Sequence, residues 1–215
     1  MDNMKLFGPP ETLLTKPSTN ANAFKVCFWL LSHIVFDPAL MKSIQMETES
    51  GIRDGKVNIT HLLDHCPHLD AAFDETLRLY GNASSARNVL APTTVGNKIL
   101  QPGHKFLLPY RQLHFDPAVF GADVKTFNAQ RFLDNSALGR SPSYRPFGGG
   151  ITYCSGRFIA RREVYAFVAL VLKRFDVAVQ DSKRHFPRLD ETTPSLGVMG
   201  PISGDDVMLT IRRRE

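Results

Sequence analysis

The chain has 215 residues, 43% of them hydrophobic and 22% charged, an ordinary globular balance with enough apolar mass for one sizeable core. Cys27, Cys66 and Cys154 are odd in number and far apart, which argues against a disulfide framework or a zinc knuckle and fits a reducing compartment. The formal charge is +5, but the basic residues gather at Arg157, Arg161, Arg162, Lys173 and Arg174 and in the tail at Arg212, Arg213 and Arg214. They form no long stripe interleaved with aromatics, so they read as solvated surface, and no nucleic-acid partner is expected.

In chain order, residues 1–17 hold Gly8, Pro9, Pro10 and Pro17, lack the apolar run of a secretory signal, and read as an irregular segment. Pro17 followed by Ser18, Thr19 and Asn20 is the expected start of a first helix. Its apolar face runs through Phe24, Phe28, Leu31 and Val35. The apolar stretch 23–36 is interrupted by Lys25, Ser32 and His33 and is too short to span a bilayer. Asp37-Pro38 opens a further helical stretch to about residue 50, and residues 51–58 read as a loop. A second strong helix covers residues 69–80, with Phe73, Leu77 and Tyr80 on one face and Gly81-Asn82 at its end. Residues 89–95, 98–100 and 105–109 alternate as a small sheet, with turns at Gly96-Asn97 and Pro102-Gly103. Residues 114–146 show little periodicity, yet Phe115, Phe120, Phe127, Phe132 and Tyr144 call for burial, so this is an ordered meander and not a linker. A glycine-rich loop at 147–156 precedes a long helix at 157–175, and short strands close the chain. The pattern is one mainly α domain, residues 18–215, with a minor β-sheet.

The central signal is Phe147-Gly148-Gly149-Gly150-Ile151-Thr152-Tyr153-Cys154-Ser155-Gly156-Arg157. Here a cysteine ends a glycine-rich loop just before a long helix. Helix N-termini carry free N–H groups and partial positive charge, which stabilise a thiolate. Glycines let the backbone approach a bulky cofactor without a Cβ clash. The combination suits a metal-ligating or nucleophilic sulfur; a buried structural cysteine beside a turn is the bland reading.

The spacing Phe-x-x-Gly-x-x-x-Cys-x-Gly resembles the signature of the cytochrome P450 family at every fixed position. Two departures stand out: Ser155 follows the cysteine where the family usually has an apolar residue or proline, and Thr152 stands where many members carry a base. Glu75-Thr76-Leu77-Arg78 resembles the family's Glu-x-x-Arg. Residues 127–132 resemble the segment that supplies a third partner, here Arg131, with Ala129 in place of the common proline. Ser85-Ala86-Arg87 and His114-Phe115-Asp116-Pro117 resemble two further motifs in the correct order. Thr19-Asn20-Ala21-Asn22-Ala23, followed by Phe28-Trp29, looks like the subgroup of prostacyclin synthase and the sterol 7α-hydroxylases.

The resemblance implies the C-terminal, haem-binding portion of the cytochrome P450 fold. Haem b (iron protoporphyrin IX) would be the cofactor, and Cys154 the iron ligand. Phe147, Gly148, Gly150 and Gly156 would shape the loop around it, and Arg87 would meet a propionate. Asn22 would take the catalytic acid position of the oxygen-site helix. Glu75, Arg78 and Arg131 would form a buried structural triad. The implied activity is a monooxygenase acting on a lipophilic substrate with a flavoprotein reductase as partner, docked on Arg157, Arg161 and Arg162. A non-redox haem-thiolate isomerase or dehydratase, as in prostacyclin synthase, is the alternative, because Ala23 replaces a hydroxyl residue; a catalytically dead fragment is another. Full-length members are more than twice as long and sit on the cytosolic face of the endoplasmic reticulum membrane through an N-terminal anchor. This chain is therefore expected to be truncated, with Phe28, Trp29, Phe73, Phe147, Phe158 and Phe167 presenting apolar surface. Finally, His61, His65, Cys66 and His68 invite a zinc reading; Pro67 breaks the pattern, and a loop before the Glu75 helix is preferred.

Overall fold

The computed structural model describes residues 10–150, 153–180, 185–193 and 197–214, with side chains from Asn22 onward. Helix α1 spans Pro10–Phe36 and α2 spans Pro38–Glu49. The first helix begins earlier than its sequence suggests. Pro10 starts it, a position where a missing N–H costs nothing, and the helix runs on through Pro17. Residues 10–17 are thus helical and not irregular; residues 1–9, and the side chains of Thr19, Asn20 and Ala21, lie outside the described residues. Between α1 and α2, Asp37 caps the new helix: its carboxylate accepts from the amides of Ala39 and Leu40, each at 3.0 Å, and Pro38 fills the first turn.

The region 51–58 is not a plain loop. It forms a hairpin of β1 (Ile52–Arg53) and β2 (Lys56–Val57), turned by Asp54 and Gly55 at positive φ. A short helix α3 (Ile59–Asp64) follows, capped by Asn58. The histidines here are structural ties. His61 bonds the Glu47 carbonyl and the Ser50 hydroxyl, while the Glu47 carboxylate accepts from the His68 amide and pairs with its ring. No group of three or more ligand-type side chains among the described residues could hold a metal ion.

Helix α4 (Pro67–Tyr80) is the spine of the molecule; of its residues from Leu69 to Tyr80, all but Asp70 are buried. Helix α1 packs alongside it, and α8 (Arg157–Arg174) packs on α1, α2 and α3 and reaches α4 through the edge contact of Tyr165 with Phe73 and the ion pairs of Arg161. Val26, Trp29, Leu30 and Ile34 from α1 meet Leu69, Phe73 and Leu77 from α4 and Val164, Tyr165, Val168 and Leu172 from α8. Each such side chain, fully buried, contributes roughly 1.5–3 kcal/mol, so the three-helix seam is a large source of stability. Trp29 and Phe73, expected to be left as apolar surface, are enclosed here, whereas Phe158 and Phe167 are exposed.

The small sheet divides into pairs of strands. β3 (Ser84–Asn88) pairs antiparallel with β6 (Lys105–Pro109), and β4 (Thr93–Val95) with β5 (Lys98–Leu100). The strand read at 89–95 therefore splits, with its first half displaced toward residue 84. Between β6 and α8 the meander holds three short helices, α5 (Tyr110–His114), α6 (Pro117–Phe120) and α7 (Gln130–Asp134), and a 3-10 turn at Ser136–Arg140. It is ordered as expected: Phe120, Phe132 and Tyr144 are buried in the core. A last pair, β7 (Phe175–Val179) and β8 (Leu209–Arg213), closes the chain. Among the described residues no single helix is long and apolar enough to cross a membrane, and the apolar helices at 22–36 and Pro38–Glu49 are bent by 113° where they meet.

Candidate functional site

The cysteine loop leaves Phe147 and returns to α8 through a small set of backbone bonds. The Cys154 amide donates to the Phe147 carbonyl at 3.1 Å, the Tyr153 amide to Gly150 at 3.2 Å, and the Gly148 amide to Arg145 at 3.1 Å. Gly148 and Gly150 sit at φ 78° and 65°, a conformation that other residues rarely adopt. Ile151 and Thr152 lie outside the described residues. Cys154 is exposed, and its thiol turns back over Gly156, where a Cβ would lie 3.8 Å from the sulfur.

Arg87, on β3, comes to the same loop: a Cβ on Gly150 would lie 4.0 Å from its guanidinium, which also donates to the Ala86 carbonyl at 2.9 Å. The fold thus brings together residues about sixty positions apart. Asn22 is placed differently. Its amide oxygen accepts from the Val198 amide at 2.9 Å and fills the space beside Gly197, where a Cβ would collide at 2.2 Å. This ties α1 to the segment that also receives the Trp29 indole N–H at the Met199 carbonyl, 2.8 Å away.

A buried network centres on Glu75. One Glu75 oxygen accepts from Arg78 Nε at 2.7 Å; the other accepts from Arg78 Nη2 at 2.8 Å, Arg131 Nε at 3.2 Å and the Asn128 amide at 3.0 Å. Arg78 is fully buried and spends its remaining donors on the carbonyls of His114, Val124 and Thr126, at 2.9, 2.8 and 3.5 Å, with the rings of Phe115 and Phe120 nearby. Two arginines against one carboxylate would leave an excess positive charge. Asp123 balances it, accepting from Arg131 at 3.0 Å, and those hydrogen bonds hold its carboxyl down at about 2. Nothing in the motif spacing pointed to Asp123 or Asn128. His114 joins this network through its ring as well, since Nε2 accepts from the Arg145 amide at 2.9 Å.

A second network was not legible in the sequence. Arg161 reaches from α8 to two carboxylates of α4, Asp70 and Asp74, the latter at 2.7 Å. Tyr165 donates to Asp70, and Tyr144, from the stretch before the cysteine loop, donates to Asp74. Burial outweighs the Arg161 charge and pushes the Asp74 carboxyl up to about 7. Arg161 is therefore committed inside the fold and is not a free docking charge, as its sequence position suggested; Arg162 is exposed. A groove of about 1120 Å³ near the C-terminal end of α1, lined by His33, Tyr80, Phe115, Phe127 and Phe186, includes none of Asn22, Arg87 and Cys154.

Haem is the cofactor of the family that the motifs resemble, and the residues present fit it. The loop offers one soft sulfur at an exposed position, glycines clear the approach, and the Arg87 guanidinium lies beside Gly150.

Comparison with known proteins agrees. The chain is 29% identical over 178 residues to a cytochrome P450 monooxygenase of Gibberella zeae (76% of this chain, 34% of the relative). It is 25% identical over 210 residues to the cholesterol 7-alpha-monooxygenase of Cricetulus griseus (86% and 42%). The chain thus spans about a third to two fifths of the length of these relatives. A solved structure described as the cytochrome P450DA heme domain superposes with a TM-score of 0.72 at 21% identity, covering 90% of this chain and 42% of that one, which shows the shared fold. Residues 21–205 match the family profile described as Cytochrome P450, and so the chain belongs to the cytochrome P450 family.

Proposed function

We propose that this chain forms the thiolate side of a haem-thiolate monooxygenase that acts on a lipophilic substrate. The observation that carries the reading is Cys154: an exposed thiol, at the end of a loop with two glycines at positive φ, immediately ahead of α8, with Arg87 brought against the loop from β3. In this reading Cys154 ligates the iron. Phe147, Gly148, Gly150 and Gly156 shape the loop that approaches the macrocycle, and Arg87 pairs with a propionate. When bound, the haem supplies oxygen activation and insertion of one oxygen atom, favoured by thiolate donation. Asn22 holds a polar group in the acid position of the α1 helix, and its bond to Val198 fixes the plane of its amide. Glu75, Arg78 and Arg131 hold the meander against α4, which keeps the loop in place. The expected partners are a flavoprotein reductase as electron donor and a membrane surface met through an N-terminal anchor like that of full-length relatives, on the cytosolic face of the endoplasmic reticulum.

One observation favours a second reading, a non-redox haem-thiolate isomerase or dehydratase: Ala23 offers no hydroxyl beside Asn22. Reductase-dependent turnover separates the two. The reading itself is tested by Cys154→Ala. Haem-loaded protein should show the spectral shift that thiolate ligation gives the ferrous carbon monoxide complex, and the variant should lose it. Retention of the shift by Cys154→Ala would overturn the assignment.

A further inference from the structure

Arg157 occupies the first turn of α8, where a cation opposes the helix dipole at some cost. Its surroundings offset that cost. The guanidinium donates to the Cys154 carbonyl at 2.8 Å. It also lies 4.3 Å from the centre of the Tyr153 ring and 4.1 Å from that of Phe158, both within the range of a cation–aromatic contact. The two rings are exposed, 45% and 59% of their residues' surface being open to solvent, so the core does not hold them. The three side chains make a clamp that spans the candidate ligand: one ring precedes Cys154, the other follows the first residue of α8, and the cation between them grips the carbonyl of Cys154 itself.

We propose that Arg157 is a positioning residue for Cys154, held between Tyr153 and Phe158 so that the cysteine backbone, and with it the direction of the thiol, is fixed relative to α8. This rests on the reading of Cys154 as the haem ligand. The clamp acts without touching substrate. Its hydrogen bond to the Cys154 carbonyl and its ring contacts set geometry. Both halves matter because they bracket the two residues, Tyr153 and Cys154, whose amides bond back to Gly150 and Phe147.

The test separates geometry from charge. Arg157→Ala, Arg157→Gln, Arg157→Lys and the double variant Tyr153→Leu/Phe158→Leu are made in the full chain. Hydrogen exchange of the Tyr153 and Cys154 amides is then followed without haem. Removing either the cation or its rings should speed exchange at both amides by about tenfold. Combining Arg157→Ala with the ring variant should add little more, since coupled partners are not additive. Arg157→Gln keeps a donor for the Cys154 carbonyl and should fall in between. With haem loaded, Arg157→Ala should show a larger share of the carbon monoxide complex lacking the thiolate shift, and Arg157→Lys should recover part of it. Unchanged amide exchange in Arg157→Ala, or strictly additive effects of cation and rings, would overturn the clamp. If the parent protein with haem shows no thiolate shift at all, the ligand reading fails, while the exchange result still decides the clamp.

Discussion

Glu75 is surrounded by more donors than its helix neighbour alone provides, and that decides how it responds to mutation. An i,i+3 pair on a helix surface is worth little; with both side chains fully buried, removing either one strands a charge. Glu75→Ala or Arg78→Ala should therefore cost about 3–5 kcal/mol, read as a drop in the urea unfolding midpoint. Asp123→Asn should cost far less, because that carboxylate is nearly half exposed and water can replace it. Equal losses at Asp123 and Glu75 would show that the network is not centred on Glu75. Glu75, Arg78 and Arg131 are pointed to by their resemblance to the family's Glu-x-x-Arg and meander segment; by spacing alone Glu75 and Arg78 read as a surface pair. Asp123 and Asn128 stayed invisible, since a charge-balancing partner from an irregular segment follows no period.

At the scale of elements, the loop and the helix behind it behave as one unit. Gly148 is buried at φ 78°, where a Cβ is strained whatever the space around it. Gly149 is at an ordinary φ, and a Cβ there would meet Arg145 at a comfortable 3.9 Å. Gly148→Ala should thus lose about 1–2 kcal/mol, while Gly149→Ala should melt close to the parent; thermal unfolding of the two side by side is the check. Three adjacent glycines look alike in the sequence, and only the backbone path says which of them is indispensable. The same contrast holds for α1 and β3. Proline and polar residues at 17–20 suggested a helix start, but the helix runs on from Pro10. The strand read at 89–95 is split because β6 pairs with residues 84–88 and takes Arg87 into its register opposite Phe106.

Across the whole molecule, buried ionisable groups link folding to pH. Burial pushes His33 down to about 3 and His114 down to about 4. An unfolded histidine takes up a proton near 6.5, so between pH 6.5 and about 4 the unfolded chain binds protons that the folded chain refuses. Their contribution is present above pH 6.5 and lost as pH falls through that window. Asp74 acts the other way. Its folded carboxyl titrates at about 7, above its unfolded value of 3.8, so its contribution is greatest at low pH and lost as pH rises toward 7. Two imidazoles outweigh one carboxyl where the windows overlap, and net stability should fall on acidification from pH 6.5 to 4. Urea midpoints across that range should show the decline, His33→Gln should flatten it, and Asp74→Asn should steepen it. A midpoint that rises on acidification would mean that the histidines are not buried as neutral rings.

What the sequence determined by itself was local or periodic: the mainly α class, the long helices of the core, the glycine loop around Cys154, and the Glu75–Arg78 pair. Residues a few positions apart on one helix or one turn are placed on a common face by spacing, and the resemblance to the family motif says that this face is buried for Glu75 and Arg78. The tertiary structure decided everything that required distant segments to meet. It set Arg87 against Gly150, gave Asn22 to Val198, buried Trp29 and Phe73 in the three-helix seam, and drew Arg161 inward to Asp70 and Asp74. An arginine one turn into a helix has the same sequence signature whether it faces water or a pair of carboxylates. Its role was settled only when the fold brought α8 within side-chain reach of α4, where leaving the buried Asp74 without a partner would cost more than ordering one long side chain.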